Sequence, residues 1–469
     1  MHGELRVLEA VDSLPVSLPK RFPDRVEVAR AREVAERLEP GEEQGAELRL
    51  AGRVLARRDM GKLVFLDLVD RSGRIQLLCR EEKTGPIDLD LGDVVGATGV
   101  PARTRRGEPS LAVESLELLA KTRRPLPDTY HGLQDVETRY RQRYLDLLIN
   151  EESRADALLR SRMVAEIRRY LDAQGFVEVE TPILQPRFGG ALAEPFVTHY
   201  NALDADYYLR IADELYLKRL IVGGLERVYE IGKDFRNEGT SYKHQPEFTM
   251  LEWYEAYADY EDTMARMEEL VRTVAEQTIE TTKVTFRGHD VDLAAWRRVK
   301  LADALDEHGL WTRDEAELRR LLNDREVDTR HDETWAQLVD HALTHFVEPS
   351  LIEPTILYDY PIELSPFART RDDDPSTVER FEYYVGGMEL GNAYSELTDP
   401  DEQAERFAVQ LGASDGAGET GDPDYTEALA YGMPPTGGLG LGIDRFAMVL
   451  SGRDTIRDVI LFPALRERT

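Results

Sequence analysis

The densest chemistry in the chain runs from Phe235-Arg236-Asn237-Glu238-Gly239, across a polar loop, into Glu247-Phe248-Thr249-Met250-Leu251-Glu252-Trp253-Tyr254. Residues 226–236 and 246–257 read as two strands joined by that loop. A strand alternates faces at every residue, so Phe248, Met250, Glu252 and Tyr254 share one face. An aromatic plate, a carboxylate and a phenol stand in a row, with Arg236 ahead of the loop on the neighbouring strand. This suits a nucleotide: Phe248 to stack on the base, Arg236 to meet a phosphate, Glu252 and Tyr254 to receive a cationic group further along. His244, in the loop, is a candidate second cation for phosphate, although an exposed loop histidine is the simpler reading. For any one residue an amphipathic strand with a core face explains as much; for the set it does not.

Working outward, Arg380-Phe381-Glu382-Tyr383-Tyr384-Val385 and Met388-Glu389-Leu390-Gly391-Asn392-Ala393-Tyr394-Ser395-Glu396 flank Gly386-Gly387, a two-residue hairpin signal. That register sets Tyr384 opposite Glu389, with Glu382 diagonal to it. Two carboxylates so close repel unless a cation lies between them, which is how hard divalent sites are built. Strict alternation puts Glu389 and Glu396 on opposite faces; for both to line one pocket the strand needs a bulge, most naturally at Gly391. A solvated acidic hairpin is the competing reading. Near the C-terminus, Gly437-Gly438-Leu439-Gly440-Leu441-Gly442 reads as a glycine-rich turn into a final helix, presenting Arg445 at its start. It fits neither a dinucleotide fingerprint nor a P-loop.

The 469 residues are 42% hydrophobic, which excludes wholesale disorder. No long apolar run and no basic-then-apolar leader after Met1-His2-Gly3-Glu4 appear, so a cytoplasmic protein with no membrane association is expected. The lone Cys79 excludes a disulfide framework and reads as a packing residue, and the histidines, His131 and His199 among them, lack the spacing of zinc ligands. Net charge is −31, yet residues 51–125 hold 14 Lys or Arg against 11 Asp or Glu. A mildly basic module therefore sits in a very acidic chain, against the general rule that acidic proteins avoid nucleic acid.

That module reads as five short strands (48–55, 63–69, 75–79, 93–100 and 111–119), the pattern of a small oligonucleotide-binding barrel. Phe65 and Gln76 alternate away from their apolar neighbours and are expected to face solvent. Residues 1–45 form an N-terminal extension with a helix near Ala31–Leu38, 46–124 the barrel, 125–150 a linker opened by Pro125-Leu126-Pro127, and 151–469 an α+β domain built on an antiparallel sheet. Within it, 151–173 is a helix followed by a strand at 176–180, and 260–345 a mostly helical insertion without a chemical motif.

Taken in order, the Arg154–Ala173 helix with its strand up to Pro182, the Arg236–Tyr254 hairpin and Gly437–Phe446 resemble the three signature motifs of class II aminoacyl-tRNA synthetases. Within that class the chain is similar to the lysyl branch from about residue 46 onward, through Asn201-Ala202-Leu203-Asp204, Tyr208–Tyr216 with Leu217-Lys218-Arg219, Pro246–Tyr260, Met388–Leu397 and Thr455–Pro463. The resemblance implies ATP-dependent activation of L-lysine to lysyl-adenylate and transfer to tRNA(Lys), by a homodimer that uses Mg²⁺. It further implies that Phe248 and Arg445 sandwich the adenine and that Arg236 holds the α-phosphate and the substrate carboxylate. Arg236 and Arg445 would be the catalytic pair, with Glu238, His244 and Gly442 completing the ATP site. Glu382 and Glu389 would hold the metal. Gly190 and Glu214 would receive the α-amino group, Glu396 with Glu252 and Tyr254 the ε-ammonium, while Asn392 and Tyr394 line the pocket. In the barrel, Phe65 would stack on the anticodon, and Gln76 and Glu108 would read uridine edges. One departure is Glu194, where the family usually carries a basic residue.

Overall fold

The computed structural model describes residues 18–127, 132–191, 193–413 and 422–467. The opening of the N-terminal extension with Pro15, and His131 of the linker, lie outside the described residues. Two compact units divide at Gln134/Asp135.

In the first unit, β1 (Leu48–Met60), β2 (Leu63–Asp70), β3 (Gly73–Arg80), β4 (Val94–Arg103) and β5 (Pro109–Ala120) close a barrel in the order β1-β2-β3-β5-β4. Leu50, Val54, Leu66, Leu68, Ile75, Leu77, Val95 and Val113 fill it. A helix at Val28–Glu36 covers this core with Val28 and Ala31, so part of the extension belongs to the barrel's packing. Cys79 is fully buried, and burial pushes its thiol up to about 12. It is inert packing.

The second unit is built on an eight-stranded sheet in the order β14-β15-β16-β17-β18-β11-β10-β6. Its strands are β6 (Val177–Glu178), β10 (Arg227–Phe235), β11 (Glu247–Ala256), β14 (Arg297–Lys300), β15 (Thr355–Pro361), β16 (Thr377–Val385), β17 (Met388–Ser395) and β18 (Thr436–Gly442). All neighbours are antiparallel except the outermost pairs, β14 with β15 and β10 with β6. A small sheet of β7 (Leu184–Gln185), β8 (Val197–Tyr200) and β9 (Ala205–Leu209) and a hairpin of β12 (Lys283–Phe286) and β13 (His289–Asp292) stand apart from it.

Helices Glu151–Ala173, Tyr260–Ile279 and Ile443–Ser451 bury apolar stripes against one face of the sheet, with Trp253, Leu251, Leu439 and Leu441 beneath them. Asp444 ties this layer down. It accepts the amide of Thr249 at 2.8 Å and the guanidinium of Arg160 at 2.7 Å, a carboxylate placed at a helix N-terminus. With that face sealed, the other is left for chemistry.

Three stretches differ from the sequence reading. The glycine-rich run is a strand, β18, not a turn, inserted between β11 and β17. Residues 136–149, expected within a linker, form two short helices, and buried Arg143 donates to the carbonyls of Arg457 at 2.7 Å and Leu461 at 2.9 Å. Segment 260–345 carries three short strands besides its helices; one of them, β14, extends the main sheet. Its first helix packs in the main core through Met264, Met267, Leu270 and Val274. No helix among the described residues is long and apolar enough to cross a membrane.

Candidate active site

Residues paired directly across antiparallel strands share a face. One rung runs Glu382, Asn392, Gly440, Glu252, Glu230, and the next runs Arg380, Tyr394, Gly438, Tyr254, Val228. Glycine thus stands in the middle of each rung with polar side chains on both sides. The reason is space. A Cβ on Gly438 would lie 2.0 Å from Glu396 Oε1 and 2.6 Å from the Tyr254 ring, and one on Gly391 would strike the Gly440 carbonyl oxygen. Bare backbone makes β18 the floor of a trough. The bulge also exists: Tyr383 pairs with Gly391 but Tyr384 with Glu389, which leaves Leu390, one residue before Gly391, as the extra residue. It brings Glu389, Asn392 and Tyr394 onto the trough face.

Two cavities share this trough. The first, of about 240 Å³, is lined by Gly190, Glu214, Arg236, Met250, Glu252, Tyr254, Arg380, Asn392, Tyr394, Gly438 and Gly440, among others. Its carboxylates are buried. Tyr254 donates its hydroxyl to Glu252 at 3.0 Å, and Tyr394 donates to Glu214 at 2.8 Å. Glu396 lies behind Gly438, 2% exposed. Burial pushes both Glu252 and Glu396 up to about 8; the charge of Asp234 adds to the first, while Lys218 draws the second down. Beneath Glu252, Asp213 and Asp234 bring carboxylate oxygens within 4.8 Å of it and of one another, offset by the buried Arg210. Buried carboxylates thus outnumber the buried cations Lys218 and Arg210 here, and a cationic guest would stabilise the pocket.

The second cavity, of about 150 Å³, is lined by Arg236, Glu238, Lys243, His244, Phe248, Glu389, Gly442 and Arg445 together with backbone of β11 and β17. The Arg236 guanidinium lies 5.2 Å over the Phe248 ring, and Arg445 donates to Glu389 Oε2 at 3.0 Å. Burial raises Glu389, but Arg445, Lys243 and Arg380 outweigh it and hold the carboxyl below its ordinary value. His244 is exposed in the loop, as the simpler of its two readings had it, and does not act as a second cation. Loss of water around the ring and the charges of Arg445 and Lys243 pull it down to about 4, so it is neutral at pH 7 and offers hydrogen bonds from a ring oriented by Ser241 at 2.8 Å. Lys243, which the sequence reading passed over, is the extra cation in this wall.

Glu382 lines neither cavity. It accepts from Arg380 at 2.6 Å and from the Tyr384 hydroxyl. Burial raises it, Arg380 draws it down and Glu389 raises it again, so the two carboxylates sense each other while both Glu382 oxygens are held by protein donors. Lys218 and Arg210 were also missed as participants. A Glu214–Lys218 pair at i,i+4 reads as a surface salt bridge, yet both residues are buried. Glu194 is exposed; only its carbonyl takes part, accepting from Asn237 at 2.7 Å.

In the barrel, Phe65, Asp67, Gln76 and Leu78 alternate onto the outer face. Phe65 is half-buried against Leu78, Ala102 and Ala112, with the Arg58 guanidinium 5.2 Å over its ring. Gln76, expected to face solvent, is only 7% exposed, covered by neighbouring strands and facing Ser110. Glu108 is exposed in the turn before β5, its amide tied to Thr104 Oγ1 at 2.9 Å.

A barrel with an aromatic ring on its outer face, and a glycine-floored antiparallel sheet with an arginine-aromatic cleft, suit an enzyme of nucleotide chemistry that handles nucleic acid. Residues 135–466 match the family described as tRNA synthetases class II (D, K and N), and residues 48–119 match the OB-fold nucleic acid binding domain. The chain belongs to the class II tRNA synthetases. It is 50% identical over 438 residues to a lysine–tRNA ligase of Dehalococcoides mccartyi, covering 90% of this chain and 88% of that protein. It is 46% identical over 479 residues to one of Halalkalibacterium halodurans (99% and 96% covered), and 49% identical over 442 residues to one of Roseiflexus sp. (91% and 90% covered). Within the class, its family is that of the lysine–tRNA ligases.

Proposed function

We propose that the chain condenses L-lysine with ATP to lysyl-adenylate and pyrophosphate, then passes the lysyl group to the 3′-terminal ribose hydroxyl of tRNA(Lys). One observation carries this reading: the buried acidic pocket lined by Glu214 and Glu252, with Glu396 behind Gly438, opens beside the Arg236–Phe248–Arg445 cleft along a single glycine floor. The acidic pocket takes the two ammonium groups of lysine, and the cleft takes the adenine and phosphates. Arg236 lines both cavities, where the lysine carboxylate and the α-phosphate meet.

The carboxylate oxygen bonds to the α-phosphorus while the bond to the β-phosphate oxygen breaks and pyrophosphate leaves. The tRNA hydroxyl then attacks the activated carbonyl, and AMP departs. No protein nucleophile is required: the residues hold two anions in line and offset their charge. Glu382 and Glu389 present the hard oxygen donors a Mg²⁺ ion needs, and such an ion would neutralise charge on the ATP phosphates.

The chain works as a cytoplasmic homodimer in this proposal. Exposed apolar residues on and after the 151–173 helix, Leu158, Val177, Ile183 and Leu184, are consistent with this dimer. Residues 46–124 serve as the anticodon-binding module, with Phe65 stacking on a base and Gln76 and Glu108 reading base edges. ATP–pyrophosphate exchange measured with each of the twenty amino acids tests the activation step; exchange must depend on lysine. Charging of tRNA(Lys) then separates this activity from lysylation of another protein, and absence of exchange with any amino acid would leave only an RNA-binding role.

A further inference from the structure

Lys218 lies on the helix Glu214–Val222 and is fully buried. Its ammonium is 2.5 Å from Glu214 Oε1 and in contact with Glu396 Oε2. Four rings surround it, those of Phe367, Tyr394, Tyr254 and Tyr425, at 5.2, 5.4, 5.9 and 6.0 Å. The other oxygen of each carboxylate points elsewhere. Glu396 Oε1 has no hydrogen-bond partner and sits 2.0 Å from where a Cβ of pocket-lining Gly438 would stand. Glu214 Oε2 lies 3.7 Å from the Cβ position of pocket-lining Gly190. Each carboxylate thus gives one oxygen to Lys218 and sets the other against a pocket-lining glycine.

We infer that Lys218 is a positioning residue for the amino-acid substrate: its ammonium is the shared internal counter-ion that orients Glu214 and Glu396 and favours their ionised forms, one for each end of lysine. The physical argument is charge balance. Two carboxylates buried together without a cation cannot both stay ionised, and one takes up a proton. A protonated carboxyl is a weak receptor for an ammonium. Lys218 offsets part of that repulsion without entering the cavity, and its aromatic surround stabilises the cation where water cannot reach. The groups facing it from every packed element are Glu214 on its own helix, Glu396 after β17, Tyr394 on β17, Tyr254 on β11 and Tyr425 on the helix Pro423–Ala430. None of these groups is a cation, so Lys218 supplies the positive charge in the cluster.

This inference rests on the lysine reading of the pocket, and the experiment separates the two. Lysine-dependent exchange is measured from pH 6.5 to 9 for the wild-type protein, Lys218→Met and Lys218→Gln, with thermal unfolding and ATP binding as controls. At pH 7, Lys218→Met is expected to raise the lysine KM about tenfold or more, with the ATP KM within about twofold of wild type. The pH at which lysine affinity reaches half its plateau is expected to move up by about one unit. Lys218→Gln keeps a polar group without the charge and is expected to follow Met; if the Met variant does not fold, the Gln variant carries the test. A folded variant with wild-type lysine KM and pH midpoint overturns the inference, as does a Gln variant that restores both, since hydrogen bonding and not charge would then be at work. A wild-type protein that shows no exchange with lysine overturns the pocket reading itself and takes this inference with it.

Discussion

The two cavities share strand β11 and lie side by side, yet they treat charge in opposite ways. In the acidic pocket Glu252 and Glu396 are buried and pushed up to about 8, so both hold their protons at neutral pH unless a cation draws them into the ionised form. In the nucleotide cleft Arg236, Phe248 and Arg445 are half-exposed, and Glu389 is held below its ordinary value by arginine and lysine neighbours. In the proposed reading the difference follows from the guests. An ammonium group is small and compact, and must be stripped of water and met by several fixed anions to be chosen over other side chains. Triphosphate is large and multiply charged; it can be met by several cations at the edge of water and still be held. Selectivity therefore resides where charge is buried, and chemistry where charge is plentiful.

The hardest blow to this contrast would come from Arg236, the residue both cavities share. Arg236→Ala is expected to lower lysine-dependent exchange by ~10³-fold, chiefly in kcat, because an electrostatic contact to the reacting phosphate is lost. A change confined to KM for one substrate would show that Arg236 serves only one cavity. Next in size, Glu396→Gln removes a buried anion from one side of the contrast. Its lysine KM is expected to rise by ~10²-fold with ATP affinity within about twofold of wild type, a buried charge pair broken on one side. Parallel loss of both affinities would erase the distinction between the cavities.

A residue in the other unit gives the outside control. Phe65→Ala is expected to leave exchange unchanged and lower tRNA charging by ~10-fold, the size of one lost base–aromatic stack. A matching fall in exchange would break the separation. The smallest effect is on stability. The folded protein keeps the Glu252 proton between about 4.5 and 8, where the unfolded chain has lost it. Its contribution to stability is therefore complete below pH 4.5 and is lost as the pH rises through about 8. Glu252→Gln does not titrate, so its melting temperature relative to wild type should climb between pH 6 and 9 in the absence of lysine, by ~1 kcal/mol or more in stability at the upper end. A constant difference across that range would mean that Glu252 is ionised throughout.

Much of this was legible in the order of residues. The face shared by Phe248, Met250, Glu252 and Tyr254 follows from strand alternation alone, and Gly386-Gly387 marked its hairpin, with positive φ at both glycines. The bulge was demanded by the wish to bring Glu389 and Glu396 together, and it fell one residue from the glycine expected to host it. Other features were not legible because they depend on burial. A strand made of glycines carries no strand signal; β18 is a strand because neighbours on both sides supply its hydrogen bonds and its side chains would collide with Glu396 and Tyr254. Gln76 alternates outward as periodicity demands, yet neighbouring strands cover it.

The sequence by itself determined which residue types sit on each strand face, where hairpins turn, and that acidic and aromatic groups recur at spacings suited to a nucleotide and a cation. Those are local matters, set by a period of two and by backbone sterics. Only the tertiary structure decided which charges are buried together. The Glu214–Lys218 pair of one helix, Glu252 of β11 and Glu396 after β17 come from three separate parts of the chain and meet only when the sheet closes around its glycine floor. Exclusion of water at that meeting turns an ordinary helical Glu–Lys pair into the wall of a binding pocket.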